Sequence, residues 1–125
     1  MLGNKDAIAT IAVKNLQHAK AFYEQTLGLT PVDTEGDQLV VFRSGNSVIN
    51  VYQSQFAGSN LATAVTWRVG SDLENIIKTL KTKGVAFEHY DIPGLTRTGD
   101  IHACGDMKVA WFKDPDGNIH NLVNQ

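Results

Sequence analysis

Four histidines and a single cysteine are the residues of this 125-residue chain best suited to holding a metal or moving a proton near neutral pH. Their spacing supports little of that chemistry. His102 and Cys104 stand two apart, so an extended segment would turn both to one face and toward a common ion, but no third ligand is obvious. The simpler reading makes His102 a polar loop residue at the mouth of a pocket and Cys104 a small buried filler. His18 falls in the first turn of a helix, where it supports the cap or meets water, and His89 ends a strand at the surface. Either could serve as general acid or base only within hydrogen-bond reach of a substrate. Asp114 and Asp116 imitate paired catalytic carboxylates, yet Pro115 lies between them and Gly117 follows, which is the composition of a turn. A nucleophile-elbow serine and a phosphate-cradling glycine loop are both missing from the sequence.

Composition narrows the field further. Lys and Arg total 11 against 13 for Asp and Glu, and the net charge of -2 comes with no basic run of the kind that phosphate backbones require. Nucleic acid is therefore not expected as a partner. One cysteine cannot close an internal disulfide, residues 1–6 carry no apolar signal core, and no run approaches the roughly 20 apolar residues of a membrane span. These features predict a cytoplasmic protein with no membrane attachment. A hydrophobic content of 42% with 19% charged residues fits one compact domain with a real core.

The elements that must position any site can be read from periodicity. Residues 7–13 form a short apolar run, with Ile11 and Val13 two apart, and predict the first strand. Asn15 can cap a helix over 16–27 that carries Leu16, Ala19, Phe22, Tyr23 and Leu27, and Gly28 supplies its left-handed stop. Extended segments near 30–34, 38–43 and 48–53 follow, separated by Glu-Gly-Asp and Ser-Gly-Asn-Ser turns. Residues 54–61 break the pattern and serve as a linker. The alternation of Val65, Trp67 and Val69 with Ala64, Thr66 and Arg68 then predicts a half-buried strand over 62–69. Ser71 and Glu74 make a capping-box pair for a helix striped by Leu73, Ile76, Ile77 and Leu80 and ended by Gly84. A strand at 85–89, a loop from Tyr90 to about Asp100, a strand at 107–113 and a last strand at 118–123 complete the chain. Phe22, Phe42 and Trp67 are read as core.

Val13 recurs as Val69 and Gly28 as Gly84 at the same spacing, and the order strand, helix, meander occurs twice. Each half would expose one sheet face alone, so the two should share a core. Val13-Lys14-Asn15-Leu16, Ala21-Phe22-Tyr23 and Leu27-Gly28-Leu29 resemble the first-helix signature of the vicinal oxygen chelate superfamily of glyoxalases, bleomycin-resistance proteins and extradiol dioxygenases. Trp111-Phe112-Lys113-Asp114-Pro115-Asp116-Gly117-Asn118-Ile119 resembles its C-terminal strand-turn-strand motif. The resemblance implies an α+β fold of two βαβββ modules, residues 7–53 and 62–124. Together they would form a curved eight-stranded mixed sheet with helices on the convex side.

Metal-dependent members of that superfamily hold a divalent cation with His or Gln on the first strand of each half and Glu on the last. Matching the motifs puts Ile8 and Ala64 at the first-strand positions and Asn50 and Asn121 at the last-strand positions. These offer no imidazole and no carboxylate, so neither a metal nor another cofactor is expected. With Ile8 turned to the concave side, alternation brings Thr10 there too. Thr66 and Arg68 join Ala64, and Asn50, Tyr52, Asn121, Trp111 and His102 complete the candidate ligand pocket. Arg68 is either a buried cation awaiting an anion or a strand end in water. The mix of small, apolar and amide groups suits a small organic ligand. The resemblance therefore implies a glyoxalase/bleomycin-resistance-like protein that binds such a ligand without metal, with that ligand and a second copy in a homodimer as its partners. The alternatives are a metal-dependent lyase or dioxygenase of the glyoxalase or extradiol type, and a degenerate regulatory module.

Overall fold

The computed structural model describes residues 1–125, the Glu35 side chain excepted. The chain divides into two compact units, Met1–Gly58 and Ser59–Gln125. Among the described residues no helix is long and apolar enough to cross a membrane.

The first unit is built from β1 (Ala9–Val13), α1 (Leu16–Ala21), β2 (Thr30–Glu35), β3 (Leu39–Ser44) and β4 (Ser47–Gln53). Asn15 caps α1 as its residue type predicts, its Oδ1 accepting the His18 N–H at 3.0 Å. The predicted single helix over 16–27 proves composite, because Phe22–Thr26 continues it as a wider π-helical turn. Gly28, at φ 77, then takes the left-handed conformation that lets the chain leave the helix. The sheet order is β1-β4-β3-β2, with β1 parallel to β4 and the other pairs antiparallel. Alternation gives the sheet two unlike faces. Ile11, Val13, Val40, Phe42, Ile49 and Val51 are buried with Ala19 and Tyr23, whose ring lies 5.9 Å from that of Phe42. Thr10 and Tyr52 on the opposite face are exposed, and Asn50 between them is half-buried.

The second unit contains β5 (Thr63–Arg68), α2 (Leu73–Thr82), β6 (Phe87–Glu88), β7 (Thr96–Thr98), β8 (Ile101–Cys104), β9 (Met107–Lys113) and β10 (Ile119–Val123). The sheet runs β5-β10-β9-β8-β7, β5 lying parallel to β10, and β6 pairs with β9 beyond the end of β8. The architecture is the expected α+β class, with sheets of four and six strands in place of an eight-strand count. The extra pair is β7 and β8, a hairpin inside and beyond the segment expected to be loop. Thr96, Arg97 and Thr98 are all exposed, so no apolar alternation marked them. Helix α2 buries Leu73, Ile77 and Leu80 as its stripe predicts. Its start differs: a 3₁₀ turn, Gly70–Asp72, leads into it, and Asp72 caps it without a side-chain hydrogen bond among the described residues. Gly70 at φ 57 and its N–H bond to the Gln125 carbonyl, 3.0 Å, fix that entry in place of the Ser71/Glu74 box.

The core of the second unit contains a fully buried histidine. His120 stacks on Phe112, with centroids 5.1 Å apart and planes 8° apart, and Trp67 Nε1–H donates to its Nδ1 at 3.3 Å. Nδ1 as an acceptor makes the ring neutral. Burial lowers its pKa from 6.5 to about 4. The unfolded chain therefore binds more protons than the folded one between those values, so this group's contribution to stability is complete above 6.5 and is lost as pH falls toward 4. The loss is expected to total roughly 3 kcal/mol. Urea unfolding midpoints measured from pH 7 to pH 4 should show this slope in the native protein and a much flatter one in His120→Gln; equal slopes would refute the assignment.

Candidate functional site

The open face of the second unit is organised by one turn. Asp114 Oδ1 accepts the N–H groups of Asp116 at 2.9 Å and Asn118 at 2.8 Å, while Oδ2 accepts Asn118 Nδ2 at 2.8 Å. Asp114 is thus a turn former, as the neighbouring proline and glycine predict, and it is buried with its lone pairs engaged. The turn sets β9 against β10 so that Trp111 opposes Asn121 and Phe112 opposes His120. Phe112 and His120 face the core, and Trp111 and Asn121 face the other way.

Four further residues join that second face. Trp111 Nε1–H reaches across the sheet to donate to Thr63 Oγ1 at 3.1 Å. Glu88 opposes Trp111 and His102 opposes Val109, which places both on this side. Tyr90 lies two residues beyond Glu88 and packs its ring edge-on to Trp111 at 5.2 Å; His102 does the same at 4.9 Å. The rings of Tyr90 and His102 are 6.3 Å apart.

Polar accounting of this cluster is incomplete in a specific way. His102 is 1% exposed, and its Nε2 accepts the Tyr90 backbone N–H at 3.0 Å. A neutral imidazole that accepts at Nε2 carries its proton on Nδ1, and that N–H finds no partner among the described residues. The Tyr90 hydroxyl and Asn121 Oδ1 are also buried without a partner among them. Burial raises the Tyr90 pKa, the Glu88 carboxylate adds to the rise and the Lys113 ammonium opposes it, so the phenol keeps its proton. Glu88 is itself paired with Lys113, 3.2 Å away. A hollow of about 390 Å³ opens beside this cluster, lined by His89, Tyr90, Asp91, Leu95 and Arg97. The larger hollow of the first unit, about 520 Å³, lies between the start of α1 and the β2–β3 turn, and neither Thr10, Asn50 nor Tyr52 lines it.

The family model for the Glyoxalase/Bleomycin resistance protein/Dioxygenase superfamily matches residues 6–122. The chain belongs to that superfamily. Solved structures agree on the fold across its length. A glyoxalase family protein from Enterococcus faecalis superposes with a TM-score of 0.73 at 21% identity, covering 98% of this chain and 99% of its own. Lactoylglutathione lyase from Agrobacterium tumefaciens gives 0.71 at 16% identity, covering 95% and 92%. The fosfomycin resistance protein FosX from Listeria monocytogenes gives 0.70 at 16% identity, covering 98% and 91%. No curated protein matches the sequence.

Metal-dependent members of the superfamily hold a divalent cation, and the residues at the matching positions of this chain do not fit one. Ile8 and Ala64 have no donor atom, and both are exposed. Asn50 uses its Nδ2 toward Thr10 Oγ1 at 3.5 Å, and Asn121 offers one neutral amide oxygen. Two amides without a carboxylate are a weak set for a transition metal. Among the described residues no three His, Cys, Asp or Glu stand together as a metal cluster.

The residues singled out from the sequence divide between the units. Thr10, Asn50 and Tyr52 share the open face of the first unit, and Ile8 precedes β1 there. In the second unit Thr66 pairs with Asn121 and Arg68 with Val123, so both sit beside the Trp111 cluster; Ala64 falls at the irregularity in this ladder. Arg68 is exposed, which removes the buried-cation reading. His102 is a buried strand residue and no loop residue, and Cys104 is exposed at the hairpin in place of filling the core. Among the described residues no third His, Cys, Asp or Glu joins them as a metal cluster. His89 is a surface residue, and its Nε2 meets Asp100 Oδ1 at 2.8 Å while Lys81 holds Oδ2 at 2.7 Å. The Lys81 hydrogen bond, then that of His89, keeps the Asp100 carboxyl below its usual pKa. Tyr90, Glu88 and Thr63 were not legible as site residues, although Glu88 and Tyr90 carry a period-two signal that extends the short β6 strand.

Removing the Asp114 carboxylate leaves three donors unmatched at the turn that presents Trp111 and Asn121. Asp114→Ala is expected to lose roughly 2–4 kcal/mol in urea unfolding. A loss below roughly 0.5 kcal/mol, the range of ordinary surface changes, would deny the turn that role.

Proposed function

We propose that this protein binds a small organic ligand on its open sheet faces without the help of a metal ion, in the manner of ligand-sequestering members of the superfamily. One observation carries the reading: the rings of Trp111, Tyr90 and His102 pack together on a face whose matching metal positions hold no charged ligand, and Tyr90 also lines a hollow of about 390 Å³. The aromatic walls of Trp111 and Tyr90 add apolar surface with a few fixed polar groups, the usual make-up of an organic ligand site. Thr66, Ala64 and Arg68 extend this face. Ile8, Thr10, Asn50 and Tyr52 give the first unit an open face of the same chemical character.

The names of structural neighbours, among them a lactoylglutathione lyase and a fosfomycin resistance protein, supply substrate classes worth including in a screen. The reading includes a homodimer in the cytoplasm. Exposed Phe56 and Leu61 are the apolar groups that a second copy would cover.

Thermal unfolding of the purified protein provides the test. A ligand at a hundred times its Kd stabilises by about 2.7 kcal/mol, a rise of several degrees. Aromatic antibiotics, fosfomycin and glutathione conjugates are to be screened beside Mn, Ni, Zn and Fe salts. The expected result is a clear rise with at least one organic compound and none with any metal. Stoichiometric metal in the purified protein, or stabilisation by a metal salt alone, would replace this reading with a metal-dependent lyase or dioxygenase.

A further inference from the structure

Charges around the 390 Å³ hollow of the second unit are paired off, except on two of the residues that line it. Asp100 has one oxygen on Lys81 Nζ at 2.7 Å and the other on His89 Nε2 at 2.8 Å, and Glu88 is matched by Lys113 at 3.2 Å. Asp91 and Arg97 are exposed and line the hollow, and neither has an ion-pair partner among the described residues. Arg97 Nη1 donates to the Gly99 carbonyl at 2.7 Å, which orients the guanidinium without neutralising it and leaves its other N–H groups for a ligand. The backbone brings the two charges together. Leu95 N–H donates to the Ile92 carbonyl at 3.1 Å across a turn centred on Pro93 and Gly94, so Asp91 before the turn and Leu95 and Arg97 after it line the same space. Arg97 opposes His102 in the β7–β8 ladder and so belongs to the face that carries Trp111.

An anion in this hollow would meet the Asp91 carboxylate, and a cation would meet the Arg97 guanidinium. A ligand that carries both signs satisfies both groups. We propose that the hollow takes a zwitterion of the amino-acid class, with its carboxylate on Arg97, its ammonium on Asp91 and its apolar side chain against Leu95 and Tyr90. A guanidinium can meet a carboxylate with two parallel N–H bonds, and an ammonium gives compact, strong donors to a carboxylate. His89, tied to Asp100, forms a positioned part of the wall and needs no charge from the ligand. The volume of about 390 Å³ lies in the range of small-molecule sites. The inference rests on the reading that this side of the second unit is a ligand site, and it adds the class of compound that the site takes.

Protein labelled with ¹⁵N allows the test by NMR titration. The probes are leucine and phenylalanine, their N-acetyl forms, which lack the ammonium, and their amides, which lack the carboxylate. At least one of the two amino acids is expected to shift the backbone amides of Asp91, Leu95 and Arg97 saturably. Its N-acetyl and amide forms should bind about fivefold more weakly, the order that one exposed ion pair supplies. Asp91→Asn and Arg97→Gln, both at exposed positions, should each weaken the amino acid by a similar factor while the amides of the core stay in place. A derivative that binds as tightly as its parent, or unchanged affinity in either variant, overturns the inference, as does the absence of any shift at Asp91, Leu95 and Arg97 with both amino acids. If those amides stay silent while an organic compound from the thermal screen shifts Thr66 and Asn121, this inference falls and the wider proposal stands. Silence at both places toward the amino acids and toward every screened compound removes both.

Discussion

The Asp114 carboxylate, held by three donors within its own turn, fixes the register on which the second unit depends. Side chains on a strand alternate with period two, so a slip of one residue between β9 and β10 would exchange every inward group for an outward one. His120 would be taken from its stack on Phe112 and Asn121 driven into its place. The observed pairing keeps Phe112 opposite His120 and Trp111 opposite Asn121, and from it follow both the core of the second unit and the composition of its open face.

The same alternation gives two buried imidazoles opposite roles. His120 lies among Phe112, Trp67 and Leu122, with its Nδ1 supplied by an indole N–H. It behaves as a satisfied core residue that happens to titrate. His102 is just as inaccessible, yet its Nδ1 proton points at nothing among the described residues. Burial alone does not separate the two imidazoles; the state of the second nitrogen does, engaged in His120 and without a partner among the described residues in His102.

Much of the fold could be read from the sequence because its long elements carry strong periodic signals. The stripe of Leu73, Ile77 and Leu80 and the alternation of Val65 and Trp67 both survive in the structure. The β7–β8 hairpin did not announce itself, since three exposed residues cannot display alternation and Gly99 reads as loop. Of the candidate site, Trp111 and Asn121 came from the family motif and from counting along strands, and His102 from a segment read as loop at a pocket mouth. Tyr90 was hidden because it follows a strand of only two residues and meets Trp111 through pairing distant in sequence. Which nitrogen of His102 holds the proton depends on a bond to the Tyr90 backbone, and no sequence pattern encodes that contact.

Replacing the residues of a cation site changes what a sheet face can attract, and the change has a sign. Carboxylates and unprotonated imidazoles present lone pairs, which draw cations and desolvated donors. The open face of the second unit carries the exposed guanidinium of Arg68 and the indole of Trp111, whose N–H is donated to Thr63 Oγ1, with the Glu88 carboxylate paired to Lys113. Hydrogen-bond donors without a matching anion favour electron-rich ligand atoms for the same reason that the donor-poor face of a metal site favours a cation. On the proposed reading, Ala64 and Asn121 at the metal positions therefore leave a face suited to an organic ligand in place of an ion.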